Sequence, residues 1–269
     1  MNIPLMLQSN HAPSAHILQS YVPECPDLPE LPVVIQQGKT PQLELTPTCR
    51  FTHTENAFPQ DGYHLLGALM RTHGLEHGLY STHAACINGH LLVGHSGAGK
   101  TSVLLELLAL GMTKLIATDK TFLDINLNAH GGTKSISLEA ADAPLFNLQA
   151  EHLEHYGTRL AFMPNKTALT HHKQPVKAIW FVKLTDKSKA VAQQLEPLSA
   201  LHRLYPFMMD KINADILLAG GSLLYKADDS RAGLALSQGL SDPLKTVPAF
   251  TLTGCRQAVA THISEWRGQ

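Results

Sequence analysis

The segment Gly94-His95-Ser96-Gly97-Ala98-Gly99-Lys100-Thr101 restricts what this chain can fold into more than any other stretch. It follows the apolar run His90-Leu91-Leu92-Val93 and precedes a leucine-rich stretch, 102–110, that Gly111 closes. That order reads as buried strand, glycine-rich turn and helix. A chain turning this way leaves backbone N–H groups unpaired at the positive end of the helix, and glycines let an anion come close to them. Lys100 is then placed to reach the outer phosphates of a nucleoside triphosphate, and the Thr101 hydroxyl to ligate Mg²⁺. Residues 94–101 therefore predict a nucleotide site.

The flanking residues say what faces that site. His83-Ala84-Ala85-Cys86-Ile87 and His90-Leu91-Leu92-Val93 are separated by Asn88-Gly89. Asn-Gly is the strongest signal for a two-residue hairpin, because both central positions need positive φ. The strand feeding the loop is thus expected to pair antiparallel with the strand carrying His83, which sets the imidazole beside the phosphates. Leu115-Ile116-Ala117 reads as a further buried strand ending in Thr118-Asp119-Lys120. An acid there is where a phosphate-loop protein holds Mg²⁺ or positions the attacking group. Asp119 is accordingly a candidate metal ligand and catalytic residue, with a turn or helix-cap aspartate as the plain alternative. Residues 122–127 and 134–138 alternate about Gly131-Gly132, so a second hairpin is expected with its turn at the glycines. Glu139 closes it and reads as a solvated turn acid, a further metal contact being the alternative.

Residues 1–60 are proline-rich and hold short alternating pieces such as Leu43-Glu44-Leu45, which predicts an amino-terminal extension of short edge strands. Residues 61–269 are expected to form one α/β domain, with a mixed sheet and flanking helices. An amphipathic helix is predicted over 62–79, a core strand at Ala178-Ile179-Trp180-Phe181-Val182-Lys183-Leu184, and a helix after Pro197 through Leu201, Leu204, Met208 and Ile212. A short strand at Phe250-Thr251-Leu252 and a last helix over 256–266 complete the pattern. Gly220-Gly221 and Asp228-Asp229 read as polar loops.

Composition removes several classes of function. Of 269 residues only 16% are charged and the formal net charge is −1, which gives no electrostatic case for nucleic acid or an anionic membrane surface. Cys25, Cys49, Cys86 and Cys255 form no CxxC pair, which argues against a zinc site or a disulfide framework and fits a reducing compartment. Residues 1–7 lack a basic leader, and the greasiest stretch, 103–110, is too short to span a bilayer. A cytoplasmic protein is expected. There are 16 histidines, with His73 and His77 spaced i, i+4, His152 and His155 spaced i, i+3, and His171 adjacent to His172. None is matched to an acid in a ligand spacing such as His-Glu-x-x-His, so surface or satisfied histidines are expected.

The order histidine, hairpin, phosphate loop, leucine-rich helix and Leu115-Ile116-Ala117-Thr118-Asp119 resembles the HPr kinase/phosphorylase family, in particular its relatives from peptide-modification clusters. Leu65-Leu66-Gly67-Ala68-Leu69 followed by Leu79-Tyr80-Ser81-Thr82-His83 is similar to the family's lead-in to its histidine, and Leu28-Pro29-Glu30-Leu31-Pro32 to a short motif near its amino end. The resemblance is firm over about 62–125 and loose elsewhere. It implies a P-loop kinase fold shared with phosphoenolpyruvate carboxykinases. It also implies an activity: ATP with Mg²⁺ phosphorylating a serine of a protein or peptide. Lys100 would stabilise the transferred charge, Asp119 would serve the serine hydroxyl, and His83 would hydrogen-bond that carboxylate or a phosphate oxygen. Family members usually carry two adjacent aspartates here; Thr118 stands at the first, the one usually assigned as base. On this reading Thr118→Asp should raise turnover. Two other functions fit the residues: a nucleotide-binding regulatory or scaffold protein whose chemistry has decayed, and a kinase for a small hydroxylated metabolite. The oligomeric state stays open, a homo-oligomer included.

Overall fold

The computed structural model describes residues 5–7, 24–29, 32–40, 42–44, 49–53, 59–146, 154–156, 159–209, 215–218, 223–226 and 230–268. Among the described residues four short strands come first: β1 (Leu5–Leu7), β2 (Val33–Gln37), β3 (Gln42–Glu44) and β4 (Cys49–His53), in the order β1-β2-β4-β3. Helix α1 (Pro59–Glu76) leads to β5 (Tyr80–Ile87), β6 (His90–Val93), helix α2 (Lys100–Ala109), β7 (Leu115–Ala117), β8 (Lys120–Leu123) and β9 (Asn128–Gly132). A small antiparallel sheet follows, made of β10 (Ile136–Glu139), β11 (Glu154–Tyr156) and β12 (Arg159–Phe162). Then come β13 (Gln174–Pro175), β14 (Ala178–Leu184), β15 (Val191–Leu195) and α3 (Pro197–Met208). The hairpin β16 (Asp215–Leu218)–β17 (Leu223–Lys226), α4 (Ser230–Gly239), α5 (Pro243–Thr246), β18 (Ala249–Gly254) and α6 (Arg256–Glu265) complete the chain.

The result is mixed α/β, with one curled mixed sheet and flanking helices. Its order is β13-β9-β8-β5-β6-β14-β18-β15, with β7 also paired to β5. Among the described strands of this sheet only β6-β14-β18 run parallel. Both faces of these strands are covered, so successive residues serve opposite cores. Leu91, Val93, Ile179 and Phe181 face α3 with its Leu204, Phe207 and Met208. Leu92, Trp180 and Val182 face Val103, Leu104 and Leu107 of α2 and Val259 and Ile263 of α6. Among the described residues no helix is long and apolar enough to cross a membrane.

Trp180 anchors the second core. Its ring stacks on Phe250 with centroids 4.6 Å apart, and its Nε1–H donates to Nδ1 of buried His90 at 3.1 Å. Burial first, and then the charge of Lys177, push the His90 imidazole down to about 4. An unfolded imidazole titrates near 6.5, so between pH 6.5 and 4 the unfolded chain binds the extra proton. Stability from this group is therefore whole above pH 6.5 and is lost as pH falls towards 4, by about 3 kcal/mol in all. Urea midpoints at pH 7.5 and pH 4.5 should show the loss, and His90→Gln, which keeps an acceptor for Trp180, should reduce it.

The first hairpin forms as the sequence predicts, with Ile87 opposite His90 and φ of +52° at Asn88 and +84° at Gly89. The second does not. The turn between β8 and β9 lies at residues 124–127, where the Asp124 carboxylate accepts from the backbone N–H of Asn126 and Asn128. Gly131 and Gly132 sit inside β9, and residues 136–139 pair with β12 instead. The glycines answer to a close approach: a Cβ on Gly131 would lie 2.1 Å from the carbonyl oxygen of Glu24. Glu24 and Gly132 exchange both backbone hydrogen bonds, at 3.0 and 2.8 Å, an isolated antiparallel bridge that sets Glu24 beside the end of β9. Helix α1 runs 59–76 rather than 62–79 because Gly78, at φ +72°, turns the chain into β5. Exposed strand β15 has no apolar alternation to announce it. Ile212, His152, Gly220-Gly221 and Asp228-Asp229 lie outside the described residues.

Candidate functional site

The phosphate loop is held at both ends. At its start β6, paired antiparallel with β5 and parallel with β14, delivers Gly94; at its end the N–H of Leu184 donates to the Ala98 carbonyl at 3.1 Å. Gly97 and Gly99 have φ of +79° and +97°, and a Cβ on Gly99 would fall 2.3 Å from Leu184 Cγ. Gly99 is also the N-cap of α2 and has no side chain to cap it, which leaves the first-turn amides for an anion. Lys100 is buried, and its ammonium folds back on the loop, donating to the carbonyls of Gly94 at 2.6 Å and His95 at 3.4 Å.

Opposite the loop, β7 and β8 run along β5, with Ala117 facing Cys86 and Lys120 facing His83, the register shifting beyond Cys86. The ladder opens between those pairs, at Thr118-Asp119. Thr133 takes over the backbone there. Its carbonyl accepts from the Thr118 N–H at 2.9 Å, and its Oγ1 accepts from the N–H groups of Asp119 and Lys120, both at 3.0 Å. This turns the Asp119 carboxylate towards the loop, where Oδ1 lies 3.1 Å from His83 Nε2; Lys100 Nζ is 3.2 Å from the same nitrogen. One ring nitrogen cannot donate to a carboxylate and accept from an ammonium at once. With Asp119 ionised, Nε2–H donates to Oδ1, and the Lys100 protons go to the loop carbonyls. Partial burial raises the Asp119 pKa, but the His83 hydrogen bond and charge, with Lys120 and Lys100, outweigh it and bring the carboxyl down to about 2.

Because Thr133 is fully buried and its hydroxyl serves two amides, Thr133→Val should both destabilise and disorient the carboxylate. Two buried N–H groups left without an acceptor cost about 2–5 kcal/mol. Chemical denaturation reads this loss, and a Thr133→Ser chain, which keeps the oxygen, should recover most of it.

These groups line a cavity of about 290 Å³. Of the residues singled out from sequence, His83, His95, Ser96, Gly97, Gly99, Lys100, Thr101 and Asp119 face it, while Gly94 and Ala98 form the backbone behind. Glu139 and Asp142 reach its rim. A larger cavity, about 540 Å³, lies further along α2 and is lined mainly by apolar groups such as Leu108, Met112 and Phe162; the loop is not part of it. Thr118 faces neither: its buried Oγ1 donates to the Ser135 carbonyl at 2.5 Å. Sequence reasoning passed over Thr133 and Asp142, neither of which stands in a motif. No protein-family model matches the chain, and no curated protein matches it.

Proposed function

We propose that this protein is an ATP-dependent serine kinase of the HPr kinase/phosphorylase type, acting on a protein or peptide. The carrying observation is the line Lys100 Nζ–His83 Nε2–Asp119 Oδ1, in steps of 3.2 and 3.1 Å, inside the cavity that the phosphate loop opens into. A parallel β6-β14-β18 core that ends in the loop supports the fold assignment. On binding ATP, the loop amides and Lys100 exchange the loop's own carbonyls for phosphate oxygens. The serine oxygen then bonds to the γ-phosphorus, the bond to the β–γ bridging oxygen breaks, ADP leaves, and the hydroxyl proton passes by way of Asp119 to solvent.

The Asp119 carboxylate accepts the hydroxyl's hydrogen bond and aligns it. With a pKa of about 2 it orients the nucleophile rather than retaining its proton, which suits a loose transition state that asks little of a base. His83 holds Asp119 in place. The donor set suits Mg²⁺: the Thr101 hydroxyl and the ionised Asp119 carboxylate are hard oxygen ligands on facing walls of one cavity. When bound, that ion neutralises charge on the phosphates.

A second reading, nucleotide binding without transfer, is favoured by one observation: Thr118, where the resemblance implies an acid, is buried away from the cavity. The test is incubation with Mg-ATP and serine-containing acceptors, followed by intact-mass detection beside calorimetry. Phosphorylated acceptor supports the kinase; saturable binding with no transfer to any acceptor supports the second reading. No saturable heat overturns both.

A further inference from the structure

We infer that the last turn of α1 carries a binding site for a zinc-class divalent cation, formed by His73, Glu76 and His77. The site is separate from the phosphate loop and does not rest on the kinase reading. His73 and His77 are one helical turn apart, so both rings lie on one face, with Glu76 beside them. One ligating atom from each of the three lies within 4.8 Å of the others. Proximity alone is common on helix surfaces; the hydrogen bonds of the two rings are not. His73 Nε2 lies 3.0 Å from the carbonyl oxygen of Pro29, and His77 Nδ1 lies 2.9 Å from that of His73.

A carbonyl only accepts, so each of those nitrogens carries the proton. Nδ1 of His73 and Nε2 of His77 are left as lone-pair donors, each on a ring steadied from behind. This is how metal-ligating histidines are held: the far N–H sits on a carbonyl or carboxylate, which fixes tautomer and orientation. Glu76 Oε2 is 3.6 Å from His73 Nδ1, in position to supply the oxygen ligand. Two imidazoles and a carboxylate are the donors of a borderline cation such as Zn²⁺ and are a poor set for Mg²⁺. The negative end of the α1 dipole adds to the attraction.

Glu76 and His77 are exposed among the described residues, so the site lies at the surface. Its first ligand is hooked to Pro29, in the segment that Glu24 bridges to β9. A bound cation would hold the His73 ring in that hydrogen bond.

The test is titration of the full chain, freed of metal by chelation, with Zn²⁺ by competition against a chromophoric chelator and with Co²⁺ by visible absorption. One equivalent should bind, and the melting temperature should rise with it. His77→Ala and His73→Ala should each weaken binding by about 100-fold or more, judged against the 10–100-fold that loss of a mere supporting partner costs. Glu76→Gln should weaken it less, and His83→Ala should leave it intact. The inference fails if wild type binds Zn²⁺ no better than His77→Ala, as it would were Glu76 only an ion-pair partner of a protonated His73. It fails equally if His83→Ala, and not His77→Ala, removes the metal, since the cation would then sit at the phosphate loop.

Discussion

Lys100→Ala should abolish saturable Mg-ATP binding, whereas Asp119→Asn, which keeps an oxygen ligand for Mg²⁺ but loses its charge, should weaken binding only modestly and lower phosphoryl transfer by roughly 10²–10⁴-fold. The two substitutions separate because the residues do different work. The Lys100 ammonium is buried and already bonded to the carbonyls of Gly94 and His95, so it is preorganised at the loop and needs little reordering to meet a phosphate. Without it, several negative charges face only backbone amides. Asp119 lies across the cavity, and its amide analogue has the same shape without the charge that aligns a hydroxyl. Because the carboxyl titrates near 2, transfer should show no dependence on this group above about pH 4. Calorimetry and an intact-mass assay on both variants check the pair. Undiminished transfer in Asp119→Asn would remove the carboxylate from the chemistry.

Thr118→Asp should destabilise the protein by about 3–5 kcal/mol and should not raise turnover. From the sequence, restoring an acid at 118 looks like repair. The geometry reverses the sign. Thr118 is 3% exposed, and its Oγ1 donates to the Ser135 carbonyl with the Thr133 carbonyl 3.1 Å away. A carboxylate there would press an acceptor against two acceptors in a site without water access. Its pKa would rise, so the loss is absent well below pH 4, where both folded and unfolded forms are protonated, and grows as pH climbs past the unfolded value near 3.9. Urea midpoints at pH 7 and pH 3.5, compared with wild type, read that slope. Thr118→Val, which removes the hydroxyl from the Ser135 carbonyl and the Thr133 oxygens without adding a charge, should cost about 1–3 kcal/mol with no such pH dependence. A Thr118→Asp chain as stable as wild type and faster would overturn the register of residues 117–120.

What could be read from the sequence was local. Asn88-Gly89 set a turn whose two positive φ values few residue pairs adopt easily, so the pairing of β5 with β6 and the place of His83 followed. The loop and α2 followed likewise, since every residue from Gly94 to Thr101 serves one short stretch of backbone. The contacts that aim Asp119 are not local. Thr133 lies fourteen residues away and belongs to no pattern; its role appears only because the β5–β7–β8 ladder opens at 118–119. Gly131-Gly132 misled for a related reason. A glycine pair signals a turn when nothing else is known, but these two exist to admit another strand's backbone, which no window of β9 contains. Glu76 stands fourth in the run from His73 to His77, not second, so no ligand spacing marks it, and its place near both rings appears only in the structure.

The bridge between Glu24 and Gly132 has a practical consequence for trimming this protein. A chain begun at residue 61 would keep the loop, His83 and Asp119, yet it would strip both backbone partners from Gly132, the residue immediately before Thr133. It would also uncover Phe122, which Cys25 and Leu28 help to bury, and leave His130 without Asp27. A shortened protein that melts early and handles nucleotide poorly would thus report damage to the wall behind the carboxylate, not a missing catalytic group upstream.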